Sequence, residues 1–446
     1  VYFRGNSRIN ENNNLEIGGV DTTELVEQYG TPLYVLDEQE IRARMRAFIG
    51  TFNELEVKYQ VAYASKALCT MAMCRITDEE GLALDVVSGG ELYTAIKAGF
   101  PMERVHFHGN NKSLAEIELA IDNNIGAFII DNLYEIELIE RIAEQKQKRV
   151  NALIRVTPGI EAHTHEYIQT GQEDSKFGFN LFEPAKRAAI RLYNSSFINL
   201  KGFHFHIGSQ IFEMEGFEKA IERIAEFYKV IQAELGITLP ILNTGGGFGI
   251  RYVADDQPLS IMGYVNLLVG YVQYHFTKQG LTIPEIWIEP GRIIVGEAGT
   301  TLYTIGSTKE IPEIRKYISI DGGMGDNPRP ALYQAKYEAA IANRMISDNN
   351  ELVSVAGRTC ESGDMLIWDI NLNKPESGDI LAVFSTGAYN YSMASNYNRF
   401  PKPAMVLVNV GEAELIVKRE NYDDVLRNDV VPERLIKYPT NSLFAK

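Results

Sequence analysis

Lys66, in the run Tyr63-Ala64-Ser65-Lys66-Ala67, directly follows a short apolar stretch. It reads either as a solvated strand end or as a Schiff-base nucleophile, because a partly desolvated amine loses its proton readily. The three consecutive glycines Gly245, Gly246 and Gly247 read as a tight turn or as a phosphate cradle, since amides without side chains can approach an anion closely. Glu289, ahead of Pro290, Gly291 and Arg292, is either a turn residue or a carboxylate able to keep a pyridine nitrogen protonated. Six of the seven histidines fall in pairs two residues apart: His106/His108, His163/His165 and His204/His206. Two such residues on a strand face the same way, which admits a metal-dependent hydrolase. Against a metal, the first strand end carries Lys66 rather than histidine, and Cys69 with Cys74 supplies too few ligands for structural zinc. Cys360, beside Glu361 in a loop flanked by Gly and Ser, reads as a functional thiol more than as a packing residue.

Such side chains need a scaffold, and the sequence pattern supplies one. Short apolar or β-branched runs at 59–65, 82–87, 105–108, 127–131, 152–157, 200–207, 241–244 and 285–289 read as strands. Helical spacing fills stretches between them, as at 90–98, 114–123, 135–147 and 216–234. Strand, crossover helix and next strand, repeated in this way, is the arithmetic of a (β/α)8 TIM-type barrel. Beyond about Val295 the texture turns to strands joined by Gly- and Asp-rich turns, with a last amphipathic helix expected at 422–435. The expected division is therefore a segment 1–35 packing with the β domain, a barrel 36–294 and a mostly β domain 295–446. In a barrel the chemistry sits at the C-terminal ends of the strands. Those ends carry Lys66, Asp85, His108, Asp131, Arg155, His206 with Ser209, Gly245–Gly247, and Glu289 with Gly291 and Arg292.

Composition narrows the partners. With 43 Lys+Arg against 59 Asp+Glu, the net charge of −16 argues against a nucleic acid held by its phosphates. No apolar run is long enough for a membrane helix, and the polar start lacks the core of a signal peptide. Three cysteines cannot build a disulfide framework, so a reducing cytoplasm is expected. The 446 residues far exceed one barrel of roughly 250 residues.

YASKA, HGNNKS, GFHFHIGSQ, NTGGGFG, EPGR, DNPRPALY, CESGD and TGAYNYSMASNYN, in this order and spread from about Leu15 to the C-terminal region, resemble the diaminopimelate decarboxylase branch of the fold-type III, pyridoxal-phosphate-dependent decarboxylase family. The resemblance implies an alanine-racemase-like barrel with a β domain, pyridoxal 5'-phosphate as cofactor, no metal, and a homodimer with shared active sites. It implies that Lys66 forms the Schiff base, that His206 stacks on the pyridine ring with Ser209 beside it, and that Asp85 and Arg155 arrange lysine and cofactor. Gly245, Gly246, Gly247, Gly291 and Tyr389 fall at its phosphate positions, and Glu289 at the carboxylate on the ring nitrogen. Arg292, Arg329, Tyr333 and Tyr389 fall at substrate positions, while Cys360 and Glu361 match a pair delivered by the neighbouring subunit, with Cys360 the candidate general acid. Two arginines and one glutamate suit a substrate whose far end carries both a carboxylate and an ammonium. The implied reaction is conversion of meso-2,6-diaminopimelate to L-lysine and CO2, with ornithine, arginine or lysine as the alternative substrates. Ile293, Gly325 and Thr359 depart from the usual motif forms.

Overall fold

Eight short apolar runs close into a parallel barrel in the computed structural model, which describes residues 2–160 and 172–436. The strands are Tyr59–Ala64, Ala83–Val86, Val105–Phe107, Ala127–Ile130, Val150–Thr157, Ile198–His204, Ile241–Asn243 and Glu285–Ile288. Each pairs with the next in the chain, and the eighth returns to the first. Both faces of a barrel strand are covered, which is why segments such as Ala83–Val86 and Ala127–Ile130 are buried throughout. The expected barrel is present with all eight strands at the expected places.

Helix starts follow local chemistry. Ser88, Asn132 and Ser260 accept from the backbone N–H of Glu91, Glu135 and Gly263, and Ser113 forms a capping box with Glu116. Gly99 and Gly236 end their helices in the left-handed conformation, where glycine carries no steric penalty. The helices pack on the barrel through aromatic side chains. Phe248, fully buried, lies 6.0 Å from Phe48, 5.8 Å from Phe217 and 5.2 Å from Tyr264 between ring centroids. Phe248→Ala is expected to cost about 3–5 kcal/mol by leaving a cavity. The measurement is the urea unfolding midpoint, with Phe248→Leu falling between variant and parent; an unchanged midpoint for the alanine would refute the packing argument.

The second domain is mostly β, as expected. Its main sheet runs in the order Met365–Asn373, Asn350–Ala356, Arg315–Ile320, Gly299–Ile311, Leu33–Asp37, Ala404–Asn409, Glu412–Val417. Leu33–Asp37, which a division at residue 35 would cut, is a central strand of this sheet, antiparallel to Gly299–Ile311 and parallel to Ala404–Asn409. The first residues form a small three-stranded sheet, and its Leu15, Ile17 and Val20 share one core with Leu302, Phe384 and Val406.

One helix differs from expectation. Only Tyr422–Leu426 is helical, followed by a 3-10 turn at Glu433–Leu435, in place of one helix over 422–435. Pro432 removes a backbone donor, and the β-branched Val430 and Val431 ahead of it remain exposed, with no surface to bury them. His163 and His165 lie outside the described residues. No helix among the described residues is long and apolar enough to cross a membrane.

Candidate active site

A cavity of about 720 Å³ opens at the C-terminal ends of the barrel strands, bounded on one side by the β domain. Lys66, Asp85, Arg155, His206, Ser209, Glu289 and Arg292 line it from the barrel, and Arg329, Tyr333 and Tyr389 from the second domain. Ten of the expected site residues therefore meet in one space.

Lys66 stands on the 3-10 turn Ser65–Ala67 that ends the first barrel strand. Two side chains and a backbone amide hold this turn. Ser65 Oγ lies 2.6 Å from Asp85 O and 2.8 Å from Glu91 Oε2, and the Ala67 carbonyl accepts from Tyr389 N (2.9 Å) and Ser392 Oγ (3.1 Å). The β domain thus fixes the lysine's backbone, leaving its side chain exposed to the cavity.

Glu289, just past the eighth strand, is buried on the barrel axis. Its Oε1 lies 2.9 Å from His108 Nε2 and accepts from Asn243 Nδ2 at 2.7 Å, while Oε2 lies 3.0 Å from His204 Nε2. Burial pushes its carboxyl up, but the two histidines outweigh that and hold it well below the usual carboxylate range. Burial also pushes the His108 imidazole down, yet Glu289 and Asp85 overturn this and raise it to about 9. His204 goes the other way, to about 4, because burial dominates there. Its partner in sequence, His206, is likewise held well below its ordinary value, first by burial and then by the cations Lys66 and Arg155. His206 Nδ1 accepts from Gly246 N at 3.2 Å, which suits a neutral ring.

The HGNNKS run owes its lysine to structure. Lys112 is buried and donates to Gly109 O and Ile129 O, both at 2.8 Å, and to Glu135 Oε1 at 2.6 Å. It brackets the loops after the third and fourth strands and so sets the position of His108. Arg155 stacks on Phe177 at 4.2 Å, and Asp131 accepts from Gly178 N at 2.9 Å beneath it.

Gly245, Gly246, Gly247 and Gly291 sit behind the cavity wall. A Cβ at Gly246 would lie 2.1 Å from Glu289 O, and one at Gly247 2.1 Å from Gly208 O. Only glycine lets this loop lie against the segments carrying Glu289 and Ser209. Among the described residues the Gly247 and Gly291 amides donate to no backbone or side-chain acceptor, so both are available to an anion.

Two of the three buried cavity arginines are tethered by tyrosines. Arg292 donates to Tyr252 Oη (2.6 Å) and to Ser209 Oγ (2.8 Å), and Arg329 donates to Tyr337 Oη (2.7 Å). The Tyr252 ring lies between them, 5.7 Å from the Arg292 guanidinium carbon and 4.6 Å from that of Arg329. Cys360 and Glu361, by contrast, are exposed and do not line this cavity.

The donor set fits pyridoxal phosphate: an accessible lysine, a neutral imidazole, an ionised buried carboxylate, and free amides beside a serine. It also brings His108, His204 and Glu289 within 4.8 Å of one another, a spacing open to a divalent cation. The positive charge that Glu289 and Asp85 favour on the His108 imidazole competes with that use. His108 was expected at a strand end, without a role; the tyrosines Tyr252 and Tyr337 and the Glu289 partners His204 and Asn243 were not among the residues expected to form the site. The His-x-His spacing did mark the two histidines, but as possible metal ligands. Nothing in the spacing marks Tyr252, Tyr337 or Asn243.

Comparison with known proteins agrees with this geometry. The family described as "Pyridoxal-dependent decarboxylase, pyridoxal binding domain" matches residues 38–296. A diaminopimelate decarboxylase of Bacillus methanolicus is 56% identical over 94% of this chain and 98% of its own. One from Bacillus subtilis (strain 168) is 54% identical, over 96% of this chain and 98% of its own. Among solved structures, the M. jannaschii diaminopimelate decarboxylase in complex with L-lysine superposes with a TM-score of 0.90 at 35% identity, covering 96% of this chain and 98% of that one. On barrel, cavity and likeness together, the chain belongs to the diaminopimelate decarboxylase family of pyridoxal-dependent decarboxylases.

Proposed function

We propose that this chain removes CO2 from meso-2,6-diaminopimelate to give L-lysine, the last step of lysine biosynthesis, with pyridoxal 5'-phosphate held in the barrel cavity. The observation that carries the reading is the meeting of Lys66, His206 and Glu289 with two buried arginines in one space of about 720 Å³. That size accommodates a cofactor and a small amino acid together.

Lys66 is the covalent anchor for the cofactor. His206, kept neutral, would pack against the ring of the bound cofactor, and Glu289 would hold its ring nitrogen. Gly247, Gly291 and Ser209 hold the phosphate, with Gly245 and Gly246 shaping the loop and Tyr389 beside it. Asp85 and Arg155 set the charge around the lysine. When bound, pyridoxal phosphate would supply the electron sink for the pair that departing CO2 leaves on the α-carbon. Arg292 and Arg329, with Tyr333 and Tyr389, receive the far carboxylate of the substrate, for which planar guanidinium groups are suited. A pocket for ornithine or arginine needs no such cations, which is the ground for preferring the dicarboxylate.

Cys360 and Glu361 complete the site from a second copy of the chain in a homodimer. Their exposure and their absence from their own chain's cavity support this assignment. Cys360 delivers the proton to the α-carbon, and Glu361 holds the substrate's distal ammonium. Three free cysteines, one of them exposed, suit a reducing cytoplasm.

CO2 release from meso-diaminopimelate, ornithine, arginine and lysine, measured side by side on cofactor-loaded protein, tests the reading. Diaminopimelate is expected to lead in kcat/KM by at least about 10²-fold, since the other substrates leave buried arginines unpaired. Equal turnover of ornithine or arginine would overturn the substrate assignment.

A further inference from the structure

Glu289 sits where water cannot reach it freely, at 8% exposure. A carboxylate in such a place tends to take up a proton of its own unless a cation is near. Four side chains bear on this question. Asn243 donates to Oε1 and His204 lies against Oε2, at 2.7 and 3.0 Å. Both are neutral partners, since burial keeps His204 uncharged down to about pH 4. Arg155 is cationic, but among the described residues it forms no ion pair with Glu289, whose close partners are His108 and His204. His108 is different. Its Nε2 lies 2.9 Å from Glu289 Oε1 and 3.5 Å from Asp85 Oδ1. Two carboxylate oxygens that close to one buried imidazole favour its charged form over either neutral tautomer. The same Asp85 oxygen lies 3.3 Å from His106 Nδ1, and the His106 ring stacks on Trp287 at 4.4 Å.

We infer that His108 is a positioning residue that supplies the countercharge of Glu289, so that a row of alternating charges, Asp85, His108, Glu289, ends at the ring nitrogen of the bound cofactor. The inference rests on the cofactor placement proposed above. Its consequence is chemical. An ionised Glu289 holds a proton on the ring nitrogen, and a protonated ring accepts the electron pair left by CO2. A neutral Glu289 would keep that proton for itself.

The test is the nitrogen-15 chemical shift of ring-labelled pyridoxal phosphate bound to the full-length protein. Parent protein is expected to give the shift of a protonated pyridine. His108→Gln keeps a neutral donor and loses the charge, and is expected to move the signal toward unprotonated pyridine. Its kcat should fall about 10–100-fold with KM altered less than about twofold, the size seen when the orienting partner of a site ligand is removed. His204→Gln exchanges one neutral donor for another and is expected to leave the ring protonated. Asp85→Asn, a second route to weakening the same row should His108→Gln not fold, is expected to move the signal part of the way. A ring nitrogen still protonated in His108→Gln, or in Asp85→Asn where that variant alone folds, overturns the inference. So does an unprotonated ring in the parent. Failure of the parent to bind the cofactor at all would instead overturn the proposed function.

Discussion

Lys66→Ala is expected to yield a folded protein that binds pyridoxal phosphate only reversibly, lacks the visible absorbance of the linked cofactor, and loses activity by on the order of 10⁴-fold or more. The side chain contributes little to the fold. Lys66 is exposed to the cavity, and its turn is held by Ser65, Tyr389 and Ser392 rather than by its own ammonium. Truncation should therefore change stability by no more than about 0.5 kcal/mol, as for surface sites away from special features. The chemistry has no such substitute. The nearest other cavity amines and guanidiniums are Lys176, Lys336 and the arginines, and none of these stands on the turn that closes the first strand. Spectra, activity and unfolding curves together decide the matter. Retained absorbance and turnover in a normally folded variant would remove Lys66 from the mechanism.

The second large effect concerns Cys360. Cys360→Ala is expected to lower decarboxylation by about 10²–10⁴-fold, the usual range for a lost general acid. Its loop is rigid despite its exposure: the Asp364 carboxylate accepts from Met324 N at 2.7 Å and Thr359 N at 3.0 Å, and Cys360 N donates to Asn398 Oδ1 at 2.9 Å. A thiol on such a loop is ordered before it meets anything. Co-expression of Lys66→Ala and Cys360→Ala chains separates service in the same chain from service to a neighbour. In the proposed homodimer, a mixed pair would have one intact site, combining Lys66 of one chain with Cys360 of the other. Activity well above that of either variant alone is the expected result. A mixture no more active than its parents would place Cys360 in its own chain's chemistry or outside it.

Much of this was legible in the chain. The eight strands declared themselves because each is a short apolar run bounded by Gly, Asn, Ser or Pro, and a strand buried on both faces has few other ways to be written. Placing chemistry at their C-terminal ends then singled out Lys66, Asp85, Arg155, His206 and Glu289, since a barrel orders its loops as the sequence orders its strands. The helix expected at 422–435 failed for the complementary reason. Its spacing was helical, but no core lies beside it, and an isolated amphipathic stretch interrupted by Pro432 gains too little from burial to persist.

The acid groups and histidines mark the limit. His108, His204 and Glu289 were each visible as polar residues near strand ends, but spacing said only that paired histidines could face a metal and that Glu289 could serve a turn or a ring nitrogen. Barrel closure brought them together and set His108 between Asp85 and Glu289. Tyr252 and Tyr337 carried no signal at all, because a tyrosine that tethers a guanidinium is written like any other. What the sequence determined by itself was the scaffold and the identity of the reactive groups, properties of residue type and local period. What only the tertiary structure decided was the protonation and aim of those groups, because both depend on contacts between segments far apart in the chain, in a medium from which water is excluded.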